Sequence, residues 1–305
     1  MFEPEYRERI NRVIKAIIRN PDGEWTTEAL AGLAGISAFH FHRIFRGMLG
    51  ETPLELHRRL RLERAALQLA TTDGGVTVIA FDAGFETHES FTRAFQAAYA
   101  MAPSAFRKRM ALHRAEMNFP EKFPFGLPAR NGVHFDQAGW VTDIAFISGE
   151  NTMDVIIEDK GELRLATLTH VGPRNMVGAT FGKLAQIAAP AGLLAQPGAM
   201  MVAVFHDDAE TTPAAELRTS AGVVVPDQCA IPEGLTELRI GAGKYARSTH
   251  HGHYQGLPDA WDKLMGRWLP ASGQRVADRP SYEAYRVADH SRPNALETDL
   301  YIAIA

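Results

Sequence analysis

The spacing of hydrophobic residues divides the chain into a helical first part and a mixed second part. Residues 1–19 place apolar side chains at helical spacing with charges between them, which predicts an amphipathic helix. Similar patterns continue to about residue 112. Beyond residue 153, longer helical patterns alternate with strand-like runs at Val155–Ile157, Val202–Phe205, Val223–Val225 and Leu300–Ile304. The chain is therefore predicted to be multi-domain, with an all-α domain followed by an α+β domain.

The helical part contains an internal repeat. The segments LAGLAGISAFHFHRIF (30–45) and IAFDAGFETHESFTRAF (79–95) each combine a short helix, a glycine suited to a left-handed turn and a second helix, which is a helix-turn-helix. Between them, residues 54–72 predict a helix of 19 residues, about 28 Å long. Such a spacer can hold two recognition helices about 34 Å apart, so one monomer can reach two successive major grooves.

The second helix of each copy supplies candidate DNA-reading residues on its outward side. They are Phe39, His42 and Arg43 in the first copy and His88, Glu89, Thr92 and Arg93 in the second. Arginine can bind a guanine edge with two parallel hydrogen bonds, which makes Arg43 and Arg93 the leading candidates. The alternative for both is a phosphate contact or a surface ion pair. The basic run at residues 58–64 could neutralise phosphates or form a solvated face.

These segments resemble the double helix-turn-helix domain of AraC-type transcription regulators over nearly all of residues 8–112. The resemblance rests on R-L-x-x-A at 61–65, I-A-x-x-x-G-F-E at 79–86, S-F-x-R-x-F at 90–95 and P-S-x-F-R at 103–107. It implies sequence-specific binding of double-stranded DNA. It also places Phe39, His42 and Arg43 at base-reading positions of the first recognition helix, and Glu89 and Arg93 at those of the second.

The second part of the chain repeats as well. Residues 164–184 align with residues 244–264 at an offset of 80, pairing His170 with His250 and Phe181 with Trp261. Each unit is predicted to run strand, helix, strand, strand. Two such pseudo-symmetric units side by side form a sheet with a cleft between their helices, where a small molecule can bind.

Residues 153–305 resemble the GyrI-like effector-binding domain, through GKYARSTHHGHYQGLPDAWDKLMGRWLPASG, PSYEAYRV and LETDLYIAI. The resemblance implies a cleft around Glu283, whose repeat counterpart is Ala203. The candidate aromatic walls are Trp261, Trp268, Tyr254 and Tyr285. A carboxylate among aromatic rings suits a cationic, amphipathic or aromatic ligand, although each ring could equally serve the core.

The sequence predicts no metal site and no cofactor. His250, His251 and His253 lack the carboxylate or cysteine pattern that would complete a tetrahedral site, and a role in a turn or at the surface accounts for them. The single cysteine, Cys229, excludes an intramolecular disulfide and favours a reducing compartment.

Charge and length refine this division. The 305 residues carry a net charge of −4, which taken alone argues against DNA binding. However, residues 1–114 hold 16 basic and 13 acidic side chains, a net of +3, and the remainder is −7. We predict a DNA-binding domain at 1–114, an irregular linker at 115–152 and a small-molecule domain at 153–305. Proline and glycine interrupt the longest uncharged run, residues 184–205, so no membrane span is predicted and a cytoplasmic protein is expected.

Together these features predict a transcription regulator that is not an enzyme. A small-molecule effector would bias its binding to promoter DNA or its contacts with RNA polymerase. One alternative is a hydrolase of reactive small molecules fused to a DNA-binding domain, in which Glu283 orients or deprotonates a water. Another is a sequestering module without regulatory output.

Overall fold

A computed structural model of the protein describes residues 4–116, 126–128, 131, 133–136, 139–140, 144–146, 153–207, 212–287 and 295–305. The chain divides into two compact units, one within residues 4–149 and one that contains residues 150–305. Each unit is described by itself. The boundaries at residues 114 and 153 remain predictions.

The N-terminal unit is helical, as the hydrophobic pattern predicts. Its helices are α1 (Pro4–Arg19), α2 (Thr27–Ala34), α3 (Ala38–Leu49), α4 (Pro53–Thr71), α5 (Val76–Asp82), α6 (His88–Tyr99) and α7 (Pro103–Glu116). A short ladder joins β1 (Phe135–Asp136) to β2 (Gly139–Trp140). The pairs α2–α3 and α5–α6 are the two predicted helix-turn-helix motifs, and α4 is the helix between them.

Both motifs turn at a glycine with a left-handed backbone. Gly35 has φ of +64° and Gly84 has φ of +70°, a region that residues with a Cβ rarely adopt. The second turn is also crowded, because a Cβ on Gly84 would lie 1.9 Å from Nη2 of Arg61. Arg61 Nε donates to the carbonyl of Ala83, so α4 is fastened directly to this turn.

A buried polar network joins α4 to the chain that follows α7. Glu63 is fully buried, and its Oε1 accepts a hydrogen bond from Arg59 Nη1 at 3.0 Å. Arg59 also forms a bidentate pair with Glu51 at 2.6 and 3.0 Å and donates to the carbonyl of Val133 at 2.8 Å. Asn131, itself fully buried, donates to Glu51 at 2.6 Å. The described part of the predicted linker is therefore anchored to the helix that spaces the two motifs.

The C-terminal unit contains a sheet in which several neighbouring strands are not consecutive along the chain. Its strands are β3 (Ile156–Lys160), β4 (Leu163–Val171), β5 (Met201–Phe205), β6 (Arg218–Val224), β7 (Thr236–Ile240), β8 (Gly243–His251), β9 (Tyr282–Val287) and β10 (Glu297–Ala303). Among the described residues their order is β3-β8-β10-β9-β5-β6-β4-β7, and every pair is antiparallel. The helical segments are α8 (Val177–Ala188), α9 (Leu257–Lys263) and α10 (Leu269–Ser272), with a π-helical turn at Leu264–Trp268.

The predicted repeat is present, and each copy begins with a strand that the sequence pattern did not assign to it. The first repeat spans β3 to β6, with α8 between β4 and β5, and the second spans β7 to β10, with α9 and α10 between β8 and β9. However, β3 pairs with β8 and β7 pairs with β4. The two repeats thus exchange their first strands and form one continuous sheet.

The centre of the sheet is the pair β5–β9, in which one residue lies opposite its own repeat counterpart, 80 positions away in the chain. Met201 lies opposite Tyr285, and Ala203 lies opposite Glu283. Because strand residues alternate between faces, Glu283 and Tyr285 share one face. Tyr282 and Ala284 point to the other face, where Tyr282 packs with Tyr245 and Tyr301.

We expect Gly84→Ala to lower the free energy of unfolding of the N-terminal unit by about 1–2 kcal/mol, because alanine is strained at a left-handed φ. The added methyl group would also displace Arg61 from the Ala83 carbonyl. Gly32→Ala is the control, since a Cβ at this helical glycine meets nothing within 4 Å. It should stabilise by about 0.5–1 kcal/mol. Urea unfolding measures both variants, and equal effects would refute the strained turn.

Candidate functional site

The C-terminal candidate site is built around a buried carboxylate at the middle of the sheet. Glu283 is 6% exposed and lies on β9 opposite Ala203 of β5. A buried carboxylate requires hydrogen-bond donors or a cation to replace water. Ala203 supplies neither, so the donors must come from the face that the helices cover.

Two aromatic residues donate to Glu283, one to each carboxylate oxygen. Trp261 Nε1 on α9 donates to Oε1 at 2.7 Å, and the Tyr285 hydroxyl donates to Oε2 at 2.8 Å. Hydrogen bonds to an ionised acceptor are stronger than neutral ones. Both donors are themselves uncharged, so they fix the position of the carboxylate without neutralising it.

The tyrosines around Glu283 remain protonated. Burial, followed by the Glu283 charge and its hydrogen bond, raises the pKa of Tyr285 well above its ordinary value. Burial and the same carboxylate raise the pKa of Tyr254. Both hydroxyl groups are therefore neutral at physiological pH, and that of Tyr285 donates to Glu283.

Two aromatic clusters flank Glu283, and the repeat relates them. In the first, called the Tyr285 cluster, the Tyr285 ring contacts Tyr254 at 5.5 Å and Phe181 at 5.4 Å between centroids. In the second, called the Phe205 cluster, the Phe205 ring contacts Trp261 at 6.1 Å, and the Arg174 guanidinium lies 4.5 Å from the Phe205 centroid. Each cluster combines rings from both repeats, so the sheet must be complete before either forms.

The structure brings together Glu283, Trp261, Tyr254 and Tyr285 and leaves Trp268 apart from them. Trp268 is 9% exposed and follows Trp261 by seven residues, about 10 Å along a helix. Its repeat counterpart, Ala188, belongs to a core cluster. No ring contact connects Trp268 to the other four within the described part of the domain, so its place in the site stays a prediction.

Phe181, Phe205 and Arg174 also surround the site and are not among the residues predicted from the sequence. The signal that could have found them is the 80-residue offset, which pairs Phe181 with Trp261, Phe205 with Tyr285 and Arg174 with Tyr254. All of the residues predicted from the sequence lie in the second repeat, whereas residues of both repeats surround Glu283.

The histidines belong to the turns. His250 Nε2 lies 3.1 Å from the carbonyl oxygen of His253, and His170 Nε2 makes the equivalent contact with Pro173 at 3.1 Å. Each histidine thus closes the turn at the end of its strand. Among the described residues, no three His, Cys, Asp or Glu side chains are grouped so as to hold a metal ion.

The N-terminal candidate interface comprises α3 and α6. On α6, Glu89 and Arg93 are exposed, and His88 and Thr92 are half-buried, with the hydroxyl oxygen of Thr92 itself buried. On α3, Arg43 is half-buried. The backbone of Phe39 lies on this helix, and its side chain is outside the described part of the structure.

The outward placement of His42 is wrong. His42 is 5% exposed, and its neighbours His40 and Phe41 are buried as well. Three consecutive residues cannot share one face of a helix with 3.6 residues per turn. The apolar face of α3 therefore did not predict the burial of every residue on this helix.

Most of the basic run on α4 is also engaged within the domain. Arg59 belongs to the buried network, Arg61 bonds the Ala83 carbonyl, and Arg64 pairs with Asp22. Arg58 is exposed. The alternative of a solvated or phosphate-binding face therefore fails for the three engaged arginines.

Comparisons with known proteins match both parts of the chain. The profile of a GyrI-like small molecule binding domain matches residues 153–305, and that of a helix-turn-helix domain matches residues 30–109. Across the described parts of the chain, none of the helices has both the length and the apolar character that a membrane crossing requires.

Individual relatives each match one part. The chain is 34% identical over 102 residues to the RCS-specific HTH-type transcriptional activator RclR of Escherichia coli (strain K12), covering 33% of this chain and 36% of that protein. It is 27% identical over 157 residues to a DNA gyrase inhibitor of Erwinia billingiae, covering 50% of this chain and 98% of that protein. An EcmrR–DNA complex resembles it with a TM-score of 0.44 and 16% identity, covering 50% of this chain and 57% of that one. The chain spans about a third of the length of the first curated relatives it matches.

We expect Ala203→Glu to destabilise the C-terminal domain more than Ala203→Gln, by about 2–4 kcal/mol at pH 8, because it places a second buried carboxylate opposite Glu283. One of the two carboxyls would have its pKa raised above its unfolded value. The variant should therefore keep most of its stability at low pH and lose it as pH rises above about 4.

Chemical unfolding between pH 4 and pH 8 measures this difference, and Ala203→Gln controls for the added volume. A difference between Ala203→Glu and Ala203→Gln that does not change with pH would contradict the register.

Proposed function

Because this chain belongs to the GyrI-like small molecule binding family and also carries a helix-turn-helix domain, we propose that it is a DNA-binding transcription regulator controlled by a small-molecule effector. The effector binds in the C-terminal cleft and alters either promoter binding or contacts with RNA polymerase. For such coupling, the effector must stabilise one state of the protein over another.

The observation that carries the effector proposal is the Glu283 site. A buried carboxylate held by Trp261 and Tyr285 sits between aromatic clusters. An aromatic or amphipathic cation gains charge pairing with the carboxylate and cation–π contact with the rings. A neutral apolar ligand would pack against the rings but would gain neither the charge pairing nor the cation–π contact.

The DNA-binding proposal rests on the two motifs and the helix between them. The outward residues of α6, together with Phe39 and Arg43 of α3, are the proposed base readers, and Arg43 and Arg93 are the principal ones. The 19 residues of α4 give a spacer of about 28 Å, which suits two successive major grooves.

We expect Arg43→Ala and Arg93→Ala each to reduce discrimination between the operator and unrelated DNA by about 1–3 kcal/mol, the contribution of a bidentate contact to guanine. Footprinting on the DNA upstream of the protein's own coding sequence measures this loss, with wild type protecting two adjacent major grooves. Arg58→Ala is the control. Arg58 is exposed on α4, and we expect it to contact a phosphate, so its loss should weaken binding to all DNA sequences alike. Full protection by both variants would show that the readers are misassigned.

We expect Glu283→Gln to weaken the binding of rhodamine 123, a planar aromatic cation, by about tenfold or more, since 1.4 kcal/mol of lost charge pairing corresponds to a factor of ten. Fluorescence anisotropy with the full chain gives the dissociation constants. Glu237→Gln removes the same charge from the exposed strand β7 and should leave binding unchanged. Equal affinity of wild type and Glu283→Gln for the dye would count against the cleft.

The same variant separates the regulator from the hydrolase. Without dye, Glu283→Gln should bind DNA as wild type does, because the substitution is confined to the sensor. Turnover of an electrophilic small molecule that Glu283→Gln abolishes would instead favour the hydrolase.

A further inference from the structure

Three hydroxyl groups on the cleft face of the sheet, the face that carries Glu283, are buried without a hydrogen-bond partner among the described residues. They belong to Thr219, Ser281 and Thr298, which are 1%, 0% and 0% exposed. Native proteins pair the great majority of their buried polar atoms, because an unpaired one loses its hydrogen bonds to water and gains none in return. Three unpaired hydroxyl groups in one cleft point to a partner that enters it from outside the chain.

Strand pairing places each hydroxyl group beside the central ring of an aromatic cluster. Thr219 lies opposite Phe205 of β5, and Thr298 lies opposite Tyr285 of β9. Ser281 directly precedes β9, and its carbonyl accepts the backbone N–H of Phe205 at 3.3 Å, so it continues the ladder on the same face as Phe205. Facing side chains on adjacent strands lie about 5 Å apart. The Phe205 ring therefore has a hydroxyl group on either side, and the Tyr285 ring has one.

The two threonines occupy equivalent positions in the two repeats. On the side away from its ring, Thr219 lies opposite His170 of β4, and Thr298 lies opposite His250 of β8. These histidines are repeat counterparts, and the Nε2 atom of each contacts a turn carbonyl at 3.1 Å. Both repeats thus set a buried, unpaired hydroxyl group between a histidine and the central ring of a cluster. The same arrangement at both ends of the cleft indicates a shared role.

Strand formation does not require these hydroxyl groups. Valine has nearly the shape of threonine, favours strands as well, and has no polar atom to leave unpaired. A buried threonine elsewhere in the sheet shows the usual arrangement, since the hydroxyl of Thr167 on β4 donates to the carbonyl of Thr236 at 2.9 Å. The hydroxyl of Thr167 is bonded within the fold, whereas those of the cleft face are not.

We propose that Thr219, Ser281 and Thr298 are hydrogen-bonding positions for the effector, and that the effector is an aromatic cation with N–H groups rather than a fully alkylated one. A ligand that inserts beside the Phe205 or Tyr285 ring reaches the hydroxyl group next to that ring. The hydroxyl oxygen then accepts a hydrogen bond from a ligand N–H, which a fully alkylated nitrogen cannot donate. This inference rests on the proposed effector function and adds the chemical class of the ligand.

Two dyes that differ only in their N–H groups test the three positions. Rhodamine 123 carries N–H groups at both ends of its xanthene, and tetramethylrhodamine methyl ester carries methyl groups in their place. Fluorescence anisotropy with the full chain gives the dissociation constants of wild type and of the triple variant Thr219→Val, Ser281→Ala, Thr298→Val. We expect the triple variant to bind rhodamine 123 about tenfold more weakly, and the affinity for the tetramethyl dye to change by less than about twofold.

The stability of the free protein provides a second readout. Because the cleft hydroxyl groups are unpaired there, Thr219→Val and Thr298→Val should leave the melting temperature of the full chain unchanged or raise it by about 2–4 °C. Thr167→Val is the matched control, since it removes a hydroxyl that is bonded to a carbonyl. It should lower the melting temperature and leave both dye affinities unchanged. A decrease in either cleft variant as large as that of Thr167→Val would show a bond within the fold and overturn the proposal.

The dye measurements separate this inference from the effector proposal. If Glu283→Gln weakens rhodamine 123, while the triple variant weakens both dyes equally or neither of them, the hydrogen-bonding positions are refuted and the effector site stands. If neither dye binds, or if binding does not depend on Glu283, the effector proposal fails and this inference fails with it.

Discussion

The pairing of β5 with β9 is the constraint on which the C-terminal domain depends, because it sets one residue of the first repeat opposite its own counterpart in the second. Ala203 faces Glu283 in this register. Two buried carboxylates at these positions would repel each other, and one would have to be neutral. A sheet with this symmetry can therefore hold a charged carboxylate at its centre in only one of the two copies.

The same reasoning explains the residues that surround Glu283. Trp261 and Tyr285 each donate a hydrogen bond to it, and their counterparts, Phe181 and Phe205, keep an aromatic ring but have no donor. Because Ala203 offers no acceptor, an indole N–H or a phenol hydroxyl at those positions would have to find another partner or be buried unpaired, at a cost of about 1–3 kcal/mol. Both repeats thus preserve the apolar walls of the cleft, while the polar ring atoms are confined to the side of the one carboxylate.

Hydrophobic patterns and internal repeats predict much of this fold. They do not predict contacts that depend on the order of the strands in the sheet. Helix periodicity and the turn glycines located both helix-turn-helix motifs, and the period of two in β9 correctly placed Tyr285 on the face of Glu283. The exchange of β3 and β7 was not predictable from a local pattern, because each strand precedes its own repeat in the chain and pairs with the other. For the same reason, Phe181, Phe205 and Arg174 come to the site from a repeat that carries no carboxylate. His42 illustrates a different limit, since a helical pattern locates an apolar face but does not give the exposure of every residue outside it.

Charge is the property for which sequence and structure differ most in the N-terminal domain. Its net charge of +3 counts every basic side chain equally, whereas Arg59 is buried against Glu51 and Glu63. Arg64 is likewise paired with Asp22. An arginine that is already paired and partly desolvated within the fold does not release counterions from DNA, so it adds nothing to the salt dependence of binding. On the function proposed above, the affinity of the domain for DNA would come from exposed basic residues such as Arg93 on α6, and its specificity from the few side chains that reach base edges.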